Sequence, residues 1–213
     1  MASPDKPMRA LLTALLVLLS PLLRAQLTPI GNDHAEVKGL LAATRALRTV
    51  QARFVQEKHL RALKEPVSEP GRFVYERPDR FRWSVDGAAP LTILTAGSAV
   101  RVKENGAEKR LGAAEQRMYA SINALVLDLV SGRLLESPEM KPRYELGADV
   151  LVAHLTPTGT MARRVQRMTL QFDRATHRLR EMETVEIDGD RTVVRYSEVL
   201  VDKPVPSGAF TDL

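Results

Sequence analysis

The stretch Gly71-Arg72-Phe73-Val74-Tyr75-Glu76-Arg77-Pro78-Asp79-Arg80-Phe81-Arg82-Trp83 decides the fold. Before Pro78-Asp79, Phe73 and Tyr75 share one face, with Arg72 and Val74 on the other. After it, Phe81, Trp83 and Val85 share one face, with Arg80, Arg82 and Ser84 opposite. Side chains of a strand alternate between two faces, and Pro-Asp is a turn signal. The stretch therefore predicts two antiparallel strands with an aromatic face.

The same period extends upstream. Ala52, Phe54, Gln56, Lys58 and Leu60 alternate with Arg53, Val55, Glu57 and His59, an imperfect strand, while Arg61 to Pro70, with two prolines, reads as a loop or ragged strand edge. Further back, Val37, Leu40, Leu41, Thr44 and Leu47 recur at helical spacing. Asn32 and Asp33 precede them, with Asp33 and Glu36 at capping-box spacing.

Downstream, Leu91 to Thr95 and Ala99 to Lys103 flank a Gly97-Ser98 hairpin, and Asn105-Gly106 turns into Glu108 to Leu111. From Ala113 to Val130 the period is helical again, with Met118, Ile122, Leu125, Val126 and Leu129 on one apolar face and Ser131-Gly132 as the stop. Five further strands are predicted: Arg143 to Leu146, Val150 to Thr156, Arg164 to Phe172, Leu179 to Ile187 and Thr192 to Val199. Asp173 to His177 and Asp188-Gly189 form turns, and Pro204 and Pro206 open a short tail.

Helix, meandering strands, helix, meandering strands is an α+β order. Sequential hairpins imply an antiparallel sheet, and the two helices cover one face of it. About nine to eleven strands exceed what an open sheet holds without curling, so an incomplete barrel in one domain is expected.

The remaining 44% hydrophobic and 27% charged composition is that of a globular chain. At the N-terminus, Lys6 and Arg9 precede a leucine-dominated run from Ala10 to Leu19, followed by Ser20-Pro21 and Leu22-Leu23-Arg24-Ala25. This is the layout of a cleaved signal peptide over residues 1–25. The run is shorter than the roughly 20 apolar residues a membrane span needs. The formal charge of +5 falls near +3 without that segment, too balanced for a nucleic-acid binder. With no cysteine, the exported protein has neither disulfides nor a site for amino-terminal lipid attachment. A soluble exported protein is expected.

Catalytic signals are missing. His34, His59, His154 and His177 show no ligand spacing, so neither a metal site nor a cofactor is expected. Ser98 and Ser131 lie beside glycines as turn residues, not in a nucleophile elbow. Glu181 and Glu183 share one strand face, which reads as a solvated surface, and no glycine-rich phosphate loop occurs. What remains is apolar surface: the aromatic strand face and the helix face of Ile122, Leu125, Val126 and Leu129 form either a core or, in a curled sheet, the lining of a cavity. With only 5% aromatic residues, such a lining suits a flexible alkyl chain better than a planar cofactor.

Phe54, Gln56, Gly71, Phe73, Arg77, Pro78, Phe81 and Trp83 together resemble the signature of the outer-membrane lipoprotein carrier (LolA-like) family: F-x-Q, then G-x-aromatic, then R-P-x-x-F-x-W. The helix and strand order agrees over residues 26–213. The resemblance implies a strongly curved incomplete barrel closed by a helical lid, with lipid chains held against Phe54, Phe73, Phe81, Trp83, Ile122, Leu125, Val126 and Leu129. It implies that Arg77 is the lid latch. It further implies periplasmic transport of lipidated proteins from an inner-membrane releasing complex to an outer-membrane acceptor by a monomeric, non-enzymatic carrier. Two rivals stand beside this reading. One is a carrier of another acyl-chain cargo such as a polyene or glycolipid. The other is a lipoprotein-sensing regulator on the same fold, whose usual second domain has no room here.

Overall fold

The computed structural model describes residues 27–213; the expected signal peptide lies outside them. In chain order the elements are β1 (Thr28–Ile30), α1 (Ala35–Ala46), β2 (Thr49–His59), β3 (Val67–Glu76), β4 (Arg80–Val85), β5 (Leu91–Ala96), β6 (Ala99–Glu104), β7 (Ala107–Lys109), α2 (Ala113–Val130), β8 (Met140–Leu146), β9 (Val150–Pro157), β10 (Val165–Asp173), β11 (Leu179–Glu186) and β12 (Arg191–Val201). The strands make one sheet in the order β1-β8-β9-β10-β11-β12-β2-β3-β4-β5-β6-β7, each adjacent pair antiparallel. β1 and β7 are its free edges, so the barrel stays open.

The α+β architecture and both helices are as expected from the sequence, with one strand more. β1 carries no periodic signal, being three residues with Pro29 at its centre, and a proline suits an edge strand. The segment before Gly71, expected as a loop or ragged strand edge, is strand in its second part: β3 begins at Val67 and takes Pro70 into the sheet, paired with Val55. Pro70 is tolerated because β4 ends beside it. Its carbonyl accepts from Asp86 N, and the N–H that it lacks would point past the end of the ladder.

α1 starts one residue later than the Asp33 cap predicts. His34 is the N-cap, its Nδ1 accepting from Glu36 N at 3.2 Å. This leaves the Glu36 carboxylate free for Arg174.

Two clusters make the core. Val37 and Leu40 of α1 pack with Tyr144, Leu151, Leu155, Leu170 and Phe172 at one end of the sheet; Phe54, Phe73, Tyr75, Phe81 and Tyr119 pack at the other. Met182 touches both, and α2 bridges them, with Leu125 and Leu129 on the first and Val126 and Val130 on the second. At Gly132 (φ 77) α2 ends so close to α1 that a Cβ would lie 2.9 Å from Thr44 Cβ. Glycine is needed there for both the left-handed backbone and the approach.

Candidate functional site

Between the two clusters the helices stand off the sheet and leave a cavity of about 450 Å³, within the roughly 300–1,000 Å³ of ligand pockets. Its wall runs from Ala43 and Thr44 of α1 and the C-cap Leu47 through Val50 and Ala52 of β2, Phe73 and Trp83 to Val126, Leu129 and Val130 of α2. Phe172, Leu179, Met182, Tyr196, Val199 and Val201 close the far side. Trp83 on β4 and Phe172 on β10 are five strand positions apart. In a flat sheet that is about 24 Å; sharing one cavity wall requires strong curvature.

A β-bulge sets part of the lining. The β12–β2 register slips between Ser197 and Leu200, and Glu198 takes φ 51. An extra residue reverses the alternation beyond it. Tyr196 therefore faces inward before the bulge and Val199 and Val201 after it, while Leu200 is left 50% exposed. Nothing in the sequence signals that slip, and these residues were not read as site residues. Phe172 and Met182, by contrast, sit at ordinary alternate positions of β10 and β11; what hid them was the pairing of those strands across the curved sheet.

Of the residues expected to hold lipid, Phe73, Trp83, Val126 and Leu129 line the cavity. Phe54 and Phe81 do not: each is 1% exposed and belongs to the packed core. Phe54 stacks on Trp83 with centroids 4.0 Å apart and so backs the wall instead of forming it. Leu125 packs on the first core cluster. Ile122 is 38% exposed, and Met118 beside it 44%; in this part of α2 it is Tyr119 that packs into the second core cluster.

Polar groups gather at both ends of α1. Near its start, Arg174 Nε donates to Glu36 at 2.8 Å, and that bond holds the Glu36 carboxyl below the usual carboxylate range. His177 lies on the cavity wall. Its buried Nε2 has no hydrogen-bond partner and sits 3.8 Å from Glu36 Oε2, beyond hydrogen-bond reach. Burial also pushes the Tyr196 phenol far above its ordinary value. At the other end of α1, Arg77 donates to the carbonyl of Arg45 in the last helical turn, and Arg45 pairs with Glu136. The Arg77–Pro78 bond is cis.

Beside this end lies a second, polar groove of about 490 Å³, bounded by Arg48, Thr49, Glu76, Arg77, Asp202, Lys203 and Pro204. Asp202 borders both spaces. Its Oδ1 accepts from the backbone N–H of Arg48 at 2.8 Å and of Thr49 at 3.2 Å, and these bonds lower its pKa.

The outer sheet face is a lattice of ion pairs. Glu181 pairs with Arg195, and Glu183 with Arg191 and Arg167. His59 and His154 pair with Glu57 and Glu145 there. Among the described residues no three His, Asp or Glu side chains cluster to hold a metal, and no helix is long and apolar enough to cross a membrane.

The tail is more than an appendage. Arg82 donates to the carbonyls of Ala209 and Asp212, Arg101 to that of Thr211, and Lys103 to that of Leu213. Arg82 is thus not the free surface cation that its alternation suggests. Burial and the nearby Arg72 lower its pKa.

A sequence profile described as "Outer membrane lipoprotein carrier protein LolA" matches residues 45–212. The chain is 25% identical over 203 residues to the outer-membrane lipoprotein carrier protein of Alkalilimnicola ehrlichii, covering 92% of this chain and 89% of that one. Among solved structures, a LolA superfamily protein from Nitrosomonas europaea aligns with TM-score 0.40 and 13% identity over 82% of this chain and 96% of that one. A chain of the Pseudomonas aeruginosa MucA/MucB complex aligns with TM-score 0.49 and 13% identity over 81% and 58%. With its profile match spanning most of the sequence, from the end of α1 to the tail, this chain belongs to the LolA outer-membrane lipoprotein carrier family.

Proposed function

We propose that this chain is a periplasmic carrier that takes the acyl chains of lipoproteins into the cavity between its helices and its sheet and shuttles them from the inner to the outer membrane. The observation that carries the reading is the cavity itself, about 450 Å³ and walled mainly by aliphatic side chains with Phe73 and Trp83. The relative in Alkalilimnicola ehrlichii is named an outer-membrane lipoprotein carrier. In this reading residues 1–25 are a signal peptide, removed on export. The carrier is a non-enzymatic monomer, served by an inner-membrane releasing complex and an outer-membrane acceptor.

The energetics suit carriage. Burying one methylene contributes about 0.8 kcal/mol, so a chain of about sixteen carbons gains on the order of 12 kcal/mol gross. Ordering the chain offsets part of this. Cargo release then needs a second state close in energy, and Arg77 at the end of α1 is positioned to bias it.

Trp83 is the single tryptophan and it lines the cavity, so its emission reports on occupancy. A fatty-acyl probe should shift that emission, and Val126→Glu should abolish the shift by placing a charge in an apolar wall. Leu200→Glu, at an exposed position, should not. A spectrum unchanged at saturating probe, with the fold intact, defeats the proposal.

A further inference from the structure

We propose that the groove of Arg48, Arg77 and Lys203 binds an anionic, phosphate-bearing headgroup on the same amphiphile whose acyl chain fills the cavity. The inference rests on the reading of the cavity as an acyl-chain site, and it adds a second class of cargo, since the acylated cysteine of a lipoprotein bears no phosphate.

The two spaces adjoin in sequence and share one bordering residue. Leu47, Val50 and Val201 line the apolar cavity, while Arg48, Thr49 and Lys203, their immediate neighbours, line the groove. Asp202 stands on the boundary. A molecule entering here meets cations first and aliphatic surface beyond, the order of groups along an anionic lipid.

The charge balance favours an anion. Three cations and two carboxylates border the groove. Glu76 is already paired with Arg80 at 2.7 Å, and Asp202 is turned to the backbone N–H groups of Arg48 and Thr49. Among the described residues, Arg48, Arg77 and Lys203, all just outside the strands, make no ion pair within 4 Å, whereas the arginines on the strands mostly do. Arg77 spends one donor on the neutral carbonyl of Arg45 and keeps others of its five for an oxyanion. Arginine forks match phosphate geometry.

The test compares 1-palmitoyl-glycerol 3-phosphate with 1-palmitoyl-glycerol, two ligands with one chain and different charge, each at monomeric concentration and read by Trp83 emission. At low salt the phosphate should bind about tenfold tighter, the size of one charge-assisted hydrogen bond, and the ratio should shrink as salt screens it. The triple variant Arg48→Gln/Arg77→Gln/Lys203→Gln should bring the ratio close to one. Equal affinities in the unaltered protein, or a ratio that survives in the variant, overturn the proposal while leaving the cavity reading standing. No response to either ligand defeats the cavity reading instead. Co-sedimentation with phosphatidylglycerol vesicles that depends on Arg48 and Lys203 but brings no Trp83 response would assign the cations to a membrane surface and also overturn it.

Discussion

The ring of Phe54 fills the space that a side chain would take at Gly71, its cross-strand partner: a Cβ there would lie 2.6 Å from ring Cε2 and closer still to Cζ and to the Ser84 carbonyl oxygen. The ring also stacks on Trp83. The glycine, the phenylalanine and the tryptophan are thus one packing unit spread over three strands.

Gly71→Ala should therefore lower the unfolding free energy by about 3 kcal/mol, the upper range for overpacking. Phe54→Leu in the same chain should restore only part, because the Ser84 carbonyl is backbone and cannot move aside. Urea midpoints of the three variants check both statements.

Arg77→Leu should leave the urea midpoint nearly unchanged and speed exchange of a bound acyl probe about tenfold, since a charge-assisted bond contributes about 1.5–3 kcal/mol. Arg80→Leu should leave exchange alone: Arg80 pairs at the surface with Glu76 and lies 5.2 Å from the Phe210 ring, and such pairs contribute little. Stopped-flow transfer to acceptor vesicles gives both rates. Equal rates return Arg77 to an ordinary surface role.

Asp173 closes the β10–β11 turn. Its carboxyl accepts from the Thr176 hydroxyl and backbone N–H, both at 2.7 Å, and from Arg180, which hold its pKa near about 2 against an ordinary 3.8. A lowered folded pKa means that its stabilisation is complete above the ordinary value and fades as pH falls toward the folded one. The unfolding midpoint should drop between about pH 4 and pH 2, and Asp173→Asn should flatten that drop while lowering the plateau above it.

Leu94 points to the outer face, between Arg82 and Arg101, yet is only 2% exposed, because the tail held by those arginines covers it. Deleting residues 208–213 should uncover it and cost about 2 kcal/mol, the burial of one leucine. Leu94→Ser in the shortened chain should cost much less than in the full one.

The strands around Pro78 and the helix from Ala113 to Val130 were legible because their signals are local: alternation, a turn dipeptide, a helical stripe and a glycine stop. The family motif led to Phe73 and Trp83, but it did not distinguish wall from backing. Phe54 and Phe81 carry the same pattern as Trp83 but are packed in the core, Phe54 against Trp83 and Phe81 near Phe73, since depth in a curved sheet depends on which strand is opposite. Val199 and Val201 reach the cavity only through the bulge at Glu198, an irregularity that no residue type announces. Ile122 satisfies the helical stripe, yet it is left exposed while Tyr119 takes the buried position.

The pairing of β12 with β2 places residues from opposite ends of the described chain, such as Val193 and Glu57, side by side in the middle of the sheet. Apart from the edge pairing of β1 with β8, each flanking meander is assembled from near neighbours, but the seam between them closes only after β12 has been made. Closing so long a loop is the slow part of forming a sheet. Until then β2 is an open edge, guarded by Arg53, Glu57 and Lys58, charges of the kind that discourage edge-to-edge association. A chain that has not yet been made as far as β12 cannot complete its fold, so the topology of the sheet defers closure until nearly the whole sequence is available.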